Sequence, residues 1–180
     1  MELRPMDAIS PDAMLLDRLN REAFPDNERV DAEDLFAMAA RGEASVLGIY
    51  EDDIFAGFFA LRTYQGYIYL IFFAIRPEMR SRGLGGRALR MLCERYNGTQ
   101  IAIDFEAPDE CSPNNEQRVR RREFYLRSGF CETGLFMYYA GTEFEVVCSD
   151  IEFDRAGFER MIAHIHAVYP PFDPKIYTKK

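Results

Sequence analysis

The chain has 180 residues, 48% of them apolar, which suffices for one domain with a sizeable core. Its net charge of −8 excludes non-specific nucleic-acid binding, which needs a basic footprint, and disfavours an anionic membrane surface. No apolar run approaches the roughly 20 residues of a transmembrane helix. Met1-Glu2-Leu3-Arg4-Pro5 carries no secretory h-region, so a cytoplasmic protein is expected, without nucleic-acid or membrane partners. Cys93, Cys111, Cys131 and Cys148 form no C-x-x-C pair and no zinc-like spacing. Free thiols and no metal site are expected.

Leu3 to Met6 reads as a short first strand. Ser10-Pro11 predicts a helix start, serine as N-cap and proline at the first helical position. Ala13, Leu15, Leu16, Leu19 and Ala23 give its apolar side, and Phe24-Pro25 ends it. After a polar loop, Asp31 can cap a second helix carrying Leu35, Phe36, Met38 and Ala39, closed by Gly42. Ala44 to Tyr50 and Ile54 to Tyr64 read as strands on a turn at Glu51-Asp52-Asp53. Gln65-Gly66 leads into Tyr67 to Ile75, apolar throughout and so covered on both faces.

Pro77 ends that strand. Arg80-Ser81-Arg82-Gly83-Leu84-Gly85-Gly86 follows, and then a helical period through Ala88, Leu89, Leu92 and Cys93 to Tyr96. The glycines permit a tight turn and close approach of a ligand. The free N–H groups and positive dipole end of the helix favour an anion, and arginines at 76, 80, 82 and 87 add charge. The stretch therefore reads as a phosphate or pyrophosphate seat.

Gln100 to Phe105 is another apolar strand, parallel to Tyr67–Ile75 because a helix crosses between them. An acidic, proline-bearing loop runs from Glu106 to Asn114, then a basic helix from Asn115 to Ser128. Phe130 to Ala140 and Glu143 to Ser149 form a hairpin. Asp154 caps a last helix, Pro170-Pro171 ends it, and Tyr169 to Lys180 reads as an extended tail. His164 and His166 lie two apart on that helix and face different directions, which excludes a metal pair. One α/β domain over residues 1–180 is expected, with 150–180 as a helix and tail appended to it.

Two segments then carry a family resemblance. Residues 80–85 fit a pattern of arginine or glutamine, two residues, glycine, one residue, and glycine or alanine. Phe124-Tyr125-Leu126-Arg127-Ser128-Gly129-Phe130 lies some forty positions on. Together, in this order of elements, they resemble the GCN5-related N-acetyltransferase (GNAT) superfamily over residues 3 to 150. The resemblance implies a mixed, mostly antiparallel sheet with a splayed parallel strand pair and helices on both faces. It implies acetyl-CoA as acyl donor, no metal, and direct transfer to an amine in a ternary complex.

By that resemblance Gly83, Leu84, Gly85, Gly86 and Arg87 bind the pyrophosphate through backbone N–H groups, with Arg80 or Arg82 adding charge. Phe73, Ala74 and Ile75 guide the pantetheine arm, and the thioester sits where the strands splay. Tyr125 falls on the tyrosine that protonates the departing thiolate, a role that suits a neutral phenol. Many members carry asparagine seven positions earlier; here Arg118 stands there and can reach a CoA phosphate, while Asn114 and Asn115 lie too far back. The amine must lose a proton, and Glu106 is the first candidate base, Glu28 the second and Asp104 the third. Glu28 and Asp104 are also candidate acceptor contacts. The acceptor is expected to be a small amine, with a protein amine or a non-catalytic acyl-CoA-binding module as alternatives, in a monomer or homodimer.

Overall fold

The structure, a computed structural model, describes residues 1–26 and 29–179. They form a mixed α/β fold that separates into two compact units, each built from more than one stretch of chain. The first unit holds residues 1–63 and 70–95, the second 64–69 and 96–180.

The first unit contains β1 (Glu2–Pro5), α1 (Ala13–Ala23), α2 (Ala32–Ala40), β2 (Ala44–Glu51), nearly all of β3 (Ile54–Tyr64), the later part of β4 (Tyr67–Ile75), and α3 (Leu84–Arg95). β1 to β3 are antiparallel neighbours: Leu3 faces Ile49, and Leu47 faces Phe59. Leu16 and Leu19 of α1, Leu35 and Phe36 of α2, and Phe58, Ala60 and Phe72 of the strands close one apolar cluster. Phe24 reaches into it, 4.8 Å from Phe72 and edge-on. The buried Asn20 amide donates to the Val30 carbonyl at 2.9 Å, tying α1 to the chain that enters α2. Gly57 of β3 lies so close to β4 that a Cβ there would stand 2.2 Å from the Ala74 carbonyl oxygen. Only glycine fits without displacing backbone.

The second unit contains the start of β4, then β5 (Ile101–Glu106), α4 (Asn115–Arg127), β6 (Cys131–Tyr139), β7 (Thr142–Cys148), α5 (Arg155–Val168) and β8 (Lys175–Thr178). The Ile68 N–H donates to the Gln100 carbonyl at 3.0 Å where β4 begins its parallel run beside β5. β7 lies antiparallel between β5 and β6, and β6 also pairs with β8. Phe158 of α5 packs edge-on against Tyr67 and Tyr69. Gln100 fixes the entrance to α5, accepting from the Asp154 N–H at 2.8 Å, while the Asp154 carboxylate caps the helix through the Gly157 N–H.

Two sequence expectations change. α1 begins at Ala13 rather than at Pro11, because Ser10 is used in a turn: its hydroxyl donates to Asp7 Oδ1 at 2.8 Å and accepts from the Asp7 N–H. The tail is not simply extended, since Lys175–Thr178 pairs with β6, Phe136 facing Tyr177. Their rings stack at 6.1 Å, and Lys179 lies over the Phe136 ring.

Candidate acyl-transfer site

The candidate anion seat lies in the first unit and is made mostly of backbone. β4 ends at Ile75, and a 3-10 turn over Pro77–Met79 follows. The Arg80 guanidinium then folds back, Nε donating to the Ile75 carbonyl at 2.9 Å. Ser81 and Gly83 take positive φ of 63° and 72°, which reverses the chain into α3. Leu84 anchors the helix start in the core, while residues 82 and 83 are exposed. The Arg87 N–H bonds to the Gly83 carbonyl at 3.2 Å. The N–H groups of Leu84, Gly85 and Gly86 belong to the first turn, which has no intrahelical acceptors, so they are available at the positive end of the dipole.

The four nearby arginines differ in use. Arg76 donates to the Phe55 carbonyl and pairs with Glu78, and Arg87 pairs with Glu51 at 2.7 Å. Arg80 is pinned through Nε, and Arg82 has no ion pair among the described residues. Arg82 is thus the exposed charge beside this turn without an ion pair among the described residues. Upstream, Phe73 is half-buried and stacks on Phe59 at 4.6 Å, and Ala74 and Ile75 are buried.

In the second unit, the candidate catalytic residues form a side-chain cluster. Tyr125 of α4 is 8% exposed, stacks on Phe105 at 5.3 Å and meets Phe130 edge-on at 6.0 Å. Its hydroxyl makes no hydrogen bond among the described residues. Burial pushes its pKa up to about 12; the Arg121 guanidinium works against that rise and the Asp104 carboxylate adds to it. The phenol therefore keeps its proton throughout the neutral range.

Asp104, on β5, is half-buried and carries two tyrosine hydroxyls. Tyr69 of β4 donates to Oδ1, and Tyr139 of β6 donates to Oδ2 at 2.8 Å. Burial raises the Asp104 pKa from the usual carboxylate value, although both phenols favour the charged form. No lysine, arginine or histidine pairs with it among the described residues.

Glu106, two positions on, is differently placed. Its Oε1 accepts from Arg118 at 2.7 Å, and its Oε2 faces Asn114 at 3.3 Å and Arg121 at 3.5 Å. Arg118 also bonds Asn114 and the Ala107 carbonyl, so its fork is largely engaged within the unit. Glu28 lies outside the described residues. Sequence reading did not single out Tyr69 and Tyr139 as partners of Asp104. Tyr69 stood among many aromatics, and Tyr139 reaches β5 from beyond the intervening β7, a placement no spacing rule gives.

A cavity of about 580 Å³ lies in the second unit, lined by Val119, Arg122, Phe136, Glu145 and Lys179 among others. Its charges are already paired, Arg122 with Glu145 at 2.9 Å and Lys179 with Glu143. Neither Tyr125 nor Asp104 lines it. Among the described residues no group of three or more His, Cys, Asp and Glu could hold a metal ion. No described helix is long and apolar enough to cross a membrane.

The family model of the GNAT acetyltransferases matches residues 13–130. The chain belongs to the GNAT acetyltransferase family. This GNAT chain is similar in fold to a GNAT-family acetyltransferase of Bacteroides thetaiotaomicron, at 24% identity over 95% of this chain and 99% of that one, with TM-score 0.76. It is similar to an aminoglycoside 6'-N-acetyltransferase complexed with coenzyme A, at 17% identity over 82% and 96% of the two chains, TM-score 0.65. It is also similar to the ribosomal-protein-S18-alanine N-acetyltransferase of Escherichia coli, at 15% identity over 86% and 98%, TM-score 0.60. No curated protein sequence matches it.

Proposed function

We propose that this GNAT protein moves an acetyl group from acetyl-CoA to a small primary amine by direct attack in a ternary complex. The observation that carries this reading is the positive-φ turn at Ser81–Gly83, which presents the open N-terminus of α3 to an anion. The backbone N–H groups from about Arg82 to Arg87 hold the pyrophosphate, with Arg82 as the side-chain charge. Phe73 to Ile75 guide the pantetheine arm, and a strand N–H near Ala74 or Ile75 meets the developing oxyanion. Tyr125 protonates the departing thiolate; its high pKa keeps the acid form present at neutral pH.

Asp104, rather than Glu106, takes the proton of the amine in this proposal. Glu106 is occupied by Arg118 and Arg121, and removing a carboxylate from a part-buried pair of this kind leaves cations uncompensated. The same pairing draws Arg118 away from a CoA phosphate. Solved CoA binding in the aminoglycoside enzyme supports the donor, and its acceptor supports a small amine. The Escherichia coli neighbour favours a second reading, a protein N-terminal amine. We read residues 1–180 as one GNAT domain of a cytoplasmic protein.

The test is acetyl-CoA turnover on an amine panel, wild type against Tyr125→Phe. Release of CoA thiol with at least one amine, and a large loss in the variant, is expected. An active acceptor with no loss in the Phe variant between about pH 6 and pH 10 removes Tyr125 from the acid role.

A further inference from the structure

β6 and β7 each carry one cysteine, and their register sets Cys131 directly opposite Cys148. Directly opposed residues of an antiparallel pair have Cα atoms about 4.5–5.5 Å apart and side chains on one face. Disulfide-bridged cysteines have Cα atoms about 4.4–6.8 Å apart, so the backbone already holds this pair within bonding range. The Cβ atoms of such a pair start about 4.5–5.5 Å apart, against about 3.5–4.5 Å in a disulfide. The strands must therefore close slightly to bond, and a bond made under that strain is readily reduced. Both thiols are free in this structure. Cys131 is partly exposed, and β8 pairs with β6 over Leu135 to Tyr138, away from it. A small solute thus meets Cys131 first. Cys148 is fully buried, and burial raises the pKa of its thiol. Its sulfur lies 4.0 Å from the Tyr67 hydroxyl and donates to Gln100 Oε1 at 3.8 Å. Tyr67 is 4% exposed, and its hydroxyl makes no other hydrogen bond among the described residues.

We propose that Cys131 and Cys148 form a reversible cross-strand thiol–disulfide pair, oxidised by low-molecular-weight disulfides such as glutathione disulfide. Cys131, having lost its proton to solvent, attacks one sulfur of glutathione disulfide. That S–S bond breaks, and one glutathione thiolate leaves and takes up a proton. Cys148 then loses its proton and attacks the Cys131 sulfur, the mixed disulfide breaks, and the second glutathione leaves as a thiol. Two protein thiols are oxidised and one glutathione disulfide is reduced to two thiols. In the bonded form the Cys148 sulfur has no proton for Gln100 and turns from Tyr67 toward β6. A buried phenol is left without a partner, which costs free energy. The Tyr67 hydroxyl therefore favours the dithiol and sets how much oxidant the pair needs.

The test equilibrates the native full chain with glutathione and glutathione disulfide in graded ratios. Free thiols are then blocked with iodoacetamide, and the tryptic peptides are weighed. Cleavage after Arg127 and Arg155 puts Cys131 and Cys148 on one peptide that holds neither Cys93 nor Cys111. As glutathione disulfide rises, that peptide is expected to pass from doubly blocked to unblocked and lighter by two hydrogens, and excess glutathione reverses the change. Cys148→Ser should trap one glutathione on Cys131, while in Cys131→Ser the buried Cys148 should react at least about 10-fold more slowly. Tyr67→Phe, which orphans nothing on oxidation, should reach half-conversion at roughly 2- to 10-fold less glutathione disulfide at fixed glutathione. The wild-type peptide decides by itself should a serine variant fail to fold. An internal bond that never forms in the native chain, or forms only in urea, would overturn the proposal. So would equal reactivity of Cys148 in Cys131→Ser and Cys131 in Cys148→Ser, or an unmoved half-conversion point in Tyr67→Phe.

Discussion

The glycine loop before α3 and the Asp104 cluster on β5 are built on opposite principles. The loop is continuous in sequence: seven consecutive residues turn the chain and expose backbone N–H groups, and few side chains decide the outcome. The cluster is discontinuous: β4, β5 and β6 each contribute one polar group, and burial raises the Asp104 pKa against the pull of the two phenols. A backbone seat suits the donor, whose pyrophosphate is the same in every reaction. On the function proposed above, a side-chain seat suits the acceptor, the part of the reaction that a family can vary.

Substitutions can break that contrast at either end. The largest effect is expected from Asp104→Asn: a fall of about 100-fold or more in kcat/KM for the amine, with KM for acetyl-CoA unchanged. Its stability should not fall with its activity. A group whose folded pKa is raised contributes its stability below the unfolded pKa and loses it as pH rises through the folded value. Burial raises the Asp104 pKa, so at neutral pH its charge works against the fold, and calorimetry at pH 7 should show Tm for the Asn variant no lower than wild type. A matching loss of Tm would make the cluster structural.

Tyr125→Phe should cost about 100-fold in kcat at neutral pH. With the phenol held at about 12, the wild-type rate should show no alkaline loss from this group until the pH approaches that value. A rate that falls with a midpoint near pH 8 or 9, and does so equally in the Phe variant, belongs to another group. Gly57→Ala probes the packing of β3 against β4. Its Cβ would collide with the Ala74 carbonyl, so the cost is about 1–3 kcal/mol, seen as a Tm lower by roughly 2–12 °C. Arg82→Ala should be the mildest, raising KM for acetyl-CoA only about 2- to 5-fold, and less at high salt, because an exposed charge is screened.

The same contrast explains what could be read from the sequence. The loop was legible because its signals are local: Pro77 stops a strand, Gly83 permits positive φ, and Ala88, Leu89 and Leu92 reset the period. Most elements were legible for the same reason, including the Asp31 start of α2 and the Asp154 cap of α5. β8 was not, since four residues show no pattern of their own and their strand exists through pairing with β6. Ser10 misled because a serine before proline can cap a helix or close a turn, and Asp7 decided for the turn. At the site, alternation placed Asp104 and Glu106 on one side of β5 but could not separate them. Arg118 and Arg121 of α4 engage one, and two tyrosines the other.

The account stands most directly on CoA binding at the α3 N-terminus. Titration calorimetry of the full chain with CoA, with pantetheine as the ligand lacking the pyrophosphate, and with a Gly83→Val variant addresses it. The β-branched residue is disfavoured at the positive φ of position 83 and should close the seat. The account predicts one CoA per chain, binding at least about 10-fold weaker for pantetheine, and an equal or greater loss in the variant. CoA binding that is absent at millimolar concentration, or that pantetheine and Gly83→Val leave unchanged, would contradict it.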